Sequence, residues 1–227
     1  MSSKAVAPRE ASAVPALAPT PATTITAEDI AIPKLYVGNY MSDAVKHQRA
    51  KFGDVYLAAS SDDSDPQVLW SLGSSDAGVL AHVLHLRKGK SYAPKGSDER
   101  LLMWDFDDPD AHPEAWTTYQ YTLILPEVDP DMPARMLLTK SSKGVAQKIN
   151  TVLARNGGNL HDSAFRLTSA KRQSGQNEWA IFQAASVSQE EATVHVAAAA
   201  DLFEVLRPGF EQQASRQRSA STDDPEI

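Results

Sequence analysis

The segment TTYQYTLIL, residues 117–125, repeats its apolar and aromatic side chains at every second position. Tyr119, Tyr121, Leu123 and Leu125 therefore share one face of an extended strand. An acidic loop follows, then a second strand-like run over 135–139. The period then changes. Val145, Ile149, Val152 and Leu153 stand at the spacing of an amphipathic helix, which predicts a helix over 142–155. Ser141 or Ser142 can cap its start, and Asn156-Gly157-Gly158 ends it. A strand pair running into a helix sets the class as mainly β with an inserted helix.

Working outward, short apolar runs at 54–58, 68–72, 79–87, 101–106, 164–168 and 179–187 extend the β pattern. Loops of Gly, Pro, Ser and Asp separate them. Many short strands in one small domain point to a barrel or a sandwich. A second helix is expected over 188–206. Ser188 and Glu191 form a capping-box pattern there, Ala198, Leu202, Val205 and Leu206 supply one apolar side, and Pro208-Gly209 closes it.

The ends differ in texture. Residues 1–27 are rich in Ala, Pro, Ser and Thr, too poor in large apolar groups to offset the entropy of ordering, and read as a flexible arm. The domain is expected over 28–207, with a flexible tail over 208–227. Among 227 residues 42% are hydrophobic, which is enough for one core. There is no cysteine, so disulfides, zinc–thiolate sites and cysteine nucleophiles are excluded. Neither an apolar signal core near Met1 nor a run of about 18 apolar residues is present. The expectation is a soluble cytoplasmic protein without a membrane partner.

Charge is segregated. The formal net charge is −7, yet residues 140–172 hold seven bases against Asp162 alone. Residues 96–131 hold ten acids against Arg100. Lys140, Lys143, Lys148, Arg166, Lys171 and Arg172 form the basic stretch, and Arg87, Lys88 and Lys90 form a second basic group. Runs of charge ordinarily only solvate a surface. Here Tyr119, Tyr121 and Trp179 lie close in sequence, and single-stranded nucleic acid is held by such a mixture of cations and rings. A ring in a strand is by default core, so each candidate competes with that reading.

Catalytic chemistry has no comparable footing. Gly89-Lys90-Ser91 lacks the earlier glycine of a phosphate loop, since Leu84 stands in its place. His82 and His85, three apart in a strand, are expected on opposite faces and cannot share a metal. The run Asp105, Asp107, Asp108, Asp110 and His112 does not match an EF-hand spacing. No cofactor, no metal and no enzyme activity is expected.

The order of elements carries a resemblance. An aromatic strand (117–125) is followed by an acidic loop, a strand (133–139), a Ser/Lys-rich helix (140–153), a Phe-x-Leu-x-Ser strand (165–169) and a strand bearing Trp179 and Phe182. This is similar to the bacteriophage single-stranded-DNA-binding proteins of the OB-fold type, as are Ile30-Ala-Ile-Pro-Lys-Leu35 and Lys51-Phe-Gly-Asp-Val55. The likeness spans residues 28–187. It implies an OB-like Greek-key barrel with an inserted helix and a C-terminal helix, which binds single strands without sequence preference in phage DNA replication, recombination or repair. It also implies a mobile acidic tail that recruits replication or recombination proteins, here Asp223, Asp224 and Glu226, followed by Ile227 where many bacterial relatives end in an aromatic. Such a tail is expected to compete with DNA for the basic groove. A homo-oligomer is compatible with this reading. The rival is a non-enzymatic phage structural or assembly protein built as a β-sandwich. A third reading, a nuclease holding Mg²⁺ on the acidic loop, predicts metal-dependent loss of DNA.

Overall fold

The computed structural model describes residues 32–59, 67–73, 77–93, 102–157 and 159–220. The expected arm over 1–27 and the tail residues Asp223, Asp224, Glu226 and Ile227 lie outside the described residues.

The protein is mainly β: a curled sheet, shaped as a half-barrel, with few helices. Its strands are β1 (Lys34–Val37), β2 (Val55–Ala58), β3 (Val68–Ser71), β4 (Val79–Tyr92), β5 (Leu102–Asp105), β6 (Trp116–Leu125), β7 (Asp129–Leu138), β8 (Ala164–Ser174) and β9 (Asn177–Ser186). The helices are α1 (Asp43–Lys46), α2 (Lys143–Asn156), α3 (Gln189–Thr193) and α4 (Val196–Ala220). The sheet order is β3-β2-β1-β7-β6-β4-β8-β9, with β5 paired to β4.

Within this order lies an OB-like unit. The long β4 pairs with β6 along most of its length and with β8 near its start. Strands β4, β6 and β7 form a meander, α2 follows, and the β8–β9 hairpin ends the unit. That is the five-stranded, helix-interrupted plan of a partly open Greek-key barrel. Here an N-terminal meander extends it: β1 pairs in parallel with β7, antiparallel with β2, and β2 with β3.

The core fills the concave side. Leu35, Met136, Tyr121, Val83 and Leu123 are buried there, and α2 closes it with Val145, Ala146 and Ile149. The helix ends at Gly157, whose φ of 57° is the left-handed cap that glycine favours. Gly78 has no room for a side chain, because a Cβ would stand 2.7 Å from Thr168 Cγ2.

Several sequence expectations change. The strands are not all short: β4 has 14 residues and β8 has 11. The strand expected over 164–168 continues through Lys171 and Arg172 to Ser174, because the hairpin turns at Gly175 with φ 59°. Pro208 does not close the C-terminal helix. It sits inside α4, which runs to Ala220. Proline costs a helix one backbone hydrogen bond, but the flanking turns are docked: Leu206 packs on Leu84 and Ile124, and Phe210 stacks on His85 at 4.3 Å. Residues 208–220 are therefore helix rather than tail. His85 also departs from expectation, since a bulge between Val83 and His85 turns it to the α4 side that His82 already faces. Among the described residues no helix is long and apolar enough to cross a membrane.

Candidate nucleic-acid interface

Directly opposed residues of paired strands project to the same face of a sheet. The register opposes Leu35, Met136, Tyr121 and Leu86, all on the core side. The neighbouring row opposes Lys34 of β1, Arg135 of β7, Thr122 of β6 and His85 of β4. Alternation along each strand adds Tyr36, Leu137, Gln120 and Arg87 to that outer face. One convex surface thus carries three cations, Lys34, Arg135 and Arg87, with the ring of Tyr36 beside them.

The electrostatics of this face are unbalanced. Burial, and then the positive charge of nearby Arg87, hold the Arg135 guanidinium below its ordinary pKa. Its Nε is buried without a hydrogen-bond partner. Arg87 donates to Asp105 Oδ1 of β5 at 2.6 Å. Asp105 is in contact with Arg87, while the neighbouring Arg135 keeps its Nε without a partner, an arrangement that an incoming anion would relieve. Tyr36 is 37% exposed and stacks on Tyr56 at 5.4 Å between centroids, so its ring is held in place while part of it meets solvent. Helix α4 covers one end of the same face through Leu202, Phe203 and Phe210.

The residues singled out from sequence are dispersed. Lys140 lies with its Nζ 3.5 Å above the Trp116 ring. Lys88 and Lys90 stand over Phe106, at 3.2 and 5.9 Å. Lys171 is 5.2 Å from the Phe52 ring, which stacks on Tyr40. Lys143 is exposed at the start of α2. Lys148 and Arg172 line one hollow between α2 and β9. Trp179 is half-buried and directly opposite Arg172 on the hairpin. Tyr119 is half-buried at the edge of the core.

Two candidates are corrected. Tyr121 was expected to stack on bases, but it is fully buried, with its hydroxyl donating to Asn150 Oδ1 at 2.8 Å. The core face that Tyr119 and Tyr121 share in sequence is the concave one, beneath α2. Arg166 was expected to hold phosphate. Its guanidinium instead donates to Glu127 and Glu191, each at 2.6 Å. Those bonds, Glu127 foremost, raise its pKa, and they draw Glu127 below the usual carboxylate range against the opposing effect of burial.

Lys34, Tyr36 and Arg135 were not read as site residues. Only the long-range β1–β7 pairing brings Lys34 beside Arg135. Among the described residues no group of three or more His, Asp or Glu side chains is placed to hold a metal ion. No protein-family model, no curated protein and no solved structure matches this chain.

Proposed function

We propose that this chain binds single-stranded DNA without sequence preference across the outer face of β1, β7, β6 and β4. One observation carries the reading: the register that aligns Lys34, Arg135 and Arg87 with Tyr36 on one side of an OB-like sheet. In this architecture the face of the second and third strands is the customary oligonucleotide platform, and here those strands are β6 and β7. The cations take phosphates, replacing counterions released from the strand. Tyr36 takes a base by stacking, which tolerates any sequence because every base has a flat face. Gln120 supplies a polar contact between them. The resemblance to phage proteins supplies the setting: replication, recombination or repair of phage DNA, by binding and not by catalysis.

Fluorescence anisotropy with a labelled oligo(dT) tests this. Arg135→Gln and Tyr36→Ala should each weaken binding by about tenfold, within the range of one lost stacking or charged contact. Lys46→Ala, on α1, should leave it unchanged. Equal affinity in all four proteins would refute the assignment of this face.

A further inference from the structure

The last strand of the sheet, β9, has only β8 beside it in the sheet. One position of its free edge is already closed. Asn39 uses its side-chain amide to bond both the N–H and the C=O of Ala180. The backbone polar groups of Ala180 therefore point away from β8. The β8–β9 register runs from Ser174↔Asn177 to Phe165↔Ser186 without a bulge. In an antiparallel pair, such outward groups recur at every second residue. Phe182, Ala184 and Ser186 thus present their N–H and C=O groups outward as well, and no such closure is found at them among the described residues.

The open stretch beyond Ala180 faces a trough. Ile181, Phe182, Gln183 and Ala184 all line one hollow of about 180 Å³. Consecutive strand residues alternate between faces, so four in a row border one space only when that space meets the strand edge-on. A second hollow of about 500 Å³ continues along Ala184 and Ser186, with Gln147, Thr151 and Val152 of α2 opposite. The edge from Ile181 to Ser186 spans roughly 17 Å at the usual strand rise, the length of an ordinary strand. Long open edges are normally blunted by lysine, proline or a bulge. This one carries none of these between Ile181 and Ser186.

The charge of the walls identifies the occupant. Lys148 and Arg172 flank the trough and none of its lining residues is acidic, although the whole chain carries −7. A second copy of this chain paired edge to edge would bring like charges together. We propose that the β9 edge and α2 form a docking site for an extended, acidic peptide segment of a partner protein, which adds to the sheet as a strand. Main-chain bonds to Phe182, Ala184 and Ser186 supply the affinity, and carboxylates meeting Lys148 and Arg172 supply the selection. This site is separate from the DNA face and does not depend on it.

The test uses the full-length protein and two synthetic probes, acetyl-DVTVDVD-amide and its counterpart with lysine for aspartate. Amide exchange is followed residue by residue. The acidic probe should slow exchange at Phe182, Ala184 and Ser186, while Ile181, Gln183 and Ala185, already bonded to β8, change little. Ala184→Pro removes one outward N–H at an edge position that proline tolerates, and should abolish binding while the β8-facing amides stay protected. Lys148→Glu with Arg172→Glu should weaken binding by about tenfold or more. The proposal is overturned if the acidic probe gives no alternating protection, or if the lysine probe binds as well. It is equally overturned if oligo(dT) displaces the peptide, or if the same amides slow with protein concentration alone.

Discussion

Asn39 pairs with Ala180 as a strand residue would: its Oδ1 accepts from the Ala180 N–H at 2.7 Å and its Nδ2 donates to the Ala180 C=O at 3.2 Å. A side chain from the loop after β1 thereby stitches the N-terminal meander to β9, the last strand of the OB-like unit, where no strand ladder joins them. Ser169 reinforces the seam by donating from Oγ to the Gly53 carbonyl. Asn39→Ala leaves two backbone groups of a buried residue unpaired and should cost about 1–3 kcal/mol. A chemical-denaturation midpoint measures it. Faster amide exchange at Ala180 than at Ile181 should accompany the loss.

Arg166 ties β8 to Glu127 in the β6–β7 turn and to Glu191 of α3. Glu127 titrates below its ordinary value in the folded protein. The folded state therefore binds its proton less readily than the unfolded chain. The resulting stability is present above the ordinary carboxylate pKa and is lost as pH falls through the folded value. Arg166→Gln should lower the melting temperature at neutral pH and narrow the gap between neutral and acidic melting temperatures. Its affinity for oligo(dT) should match that of the parent, because its guanidinium faces carboxylates and not the DNA surface.

His82 and His85 give a second pH effect at higher pH. Burial lowers both pKa values, with the charge of Arg87 adding to the effect at His85. His82 is fully buried, with Nδ1 2.9 Å from the His161 carbonyl. The unfolded chain takes up protons near pH 6.5 that the folded protein refuses, so stability falls as pH drops below about 6.5. Thermal unfolding at about pH 7.5 and pH 5.5 reads this directly. Replacing both histidines by leucine should flatten that difference.

The sequence made the class of the fold legible because its signals were local. Eight of the nine strands among the described residues and helix α2 follow from periodicity; the second helix, expected as one over 188–206, divides into α3 and α4, and its Ser188 cap is present on α3, with Oγ accepting from the Glu191 N–H at 3.1 Å. What was not legible depended on long-range geometry. Lys34 and Tyr36 join the outer face only through the parallel pairing of β1 with β7. His85 changes sides because of a bulge that composition does not announce. Pro208 stays inside α4 because packing on β4 and β6 outweighs its local penalty. Tyr121 illustrates the limit of alternation: shared facing with Tyr119 was readable, but not which side of the sheet would be covered by α2.

The cation–ring contacts make a further separation possible. Lys140 covers Trp116, and Lys88 covers Phe106. Neither lysine belongs to the sheet rows that carry Lys34, Arg87 and Arg135: Lys88 alternates to the opposite side of β4 from Arg87, and Lys140 follows the end of β7. Lys140→Ala should change the intrinsic fluorescence through Trp116 while lowering oligo(dT) affinity by less than about twofold, as expected for one exposed charge outside the contact surface. An equal loss in Lys140→Ala and Arg135→Gln would move the DNA path toward the start of α2.

The dependence of oligo(dT) affinity on salt is the most direct measure of the central claim. Lys34, Arg87 and Arg135 together predict a log–log slope of roughly −2 between about 50 and 200 mM salt, and Arg135→Gln should reduce that slope by roughly 0.7. A slope near zero, or one that Arg135→Gln leaves unchanged, would contradict the assignment of phosphates to this sheet face.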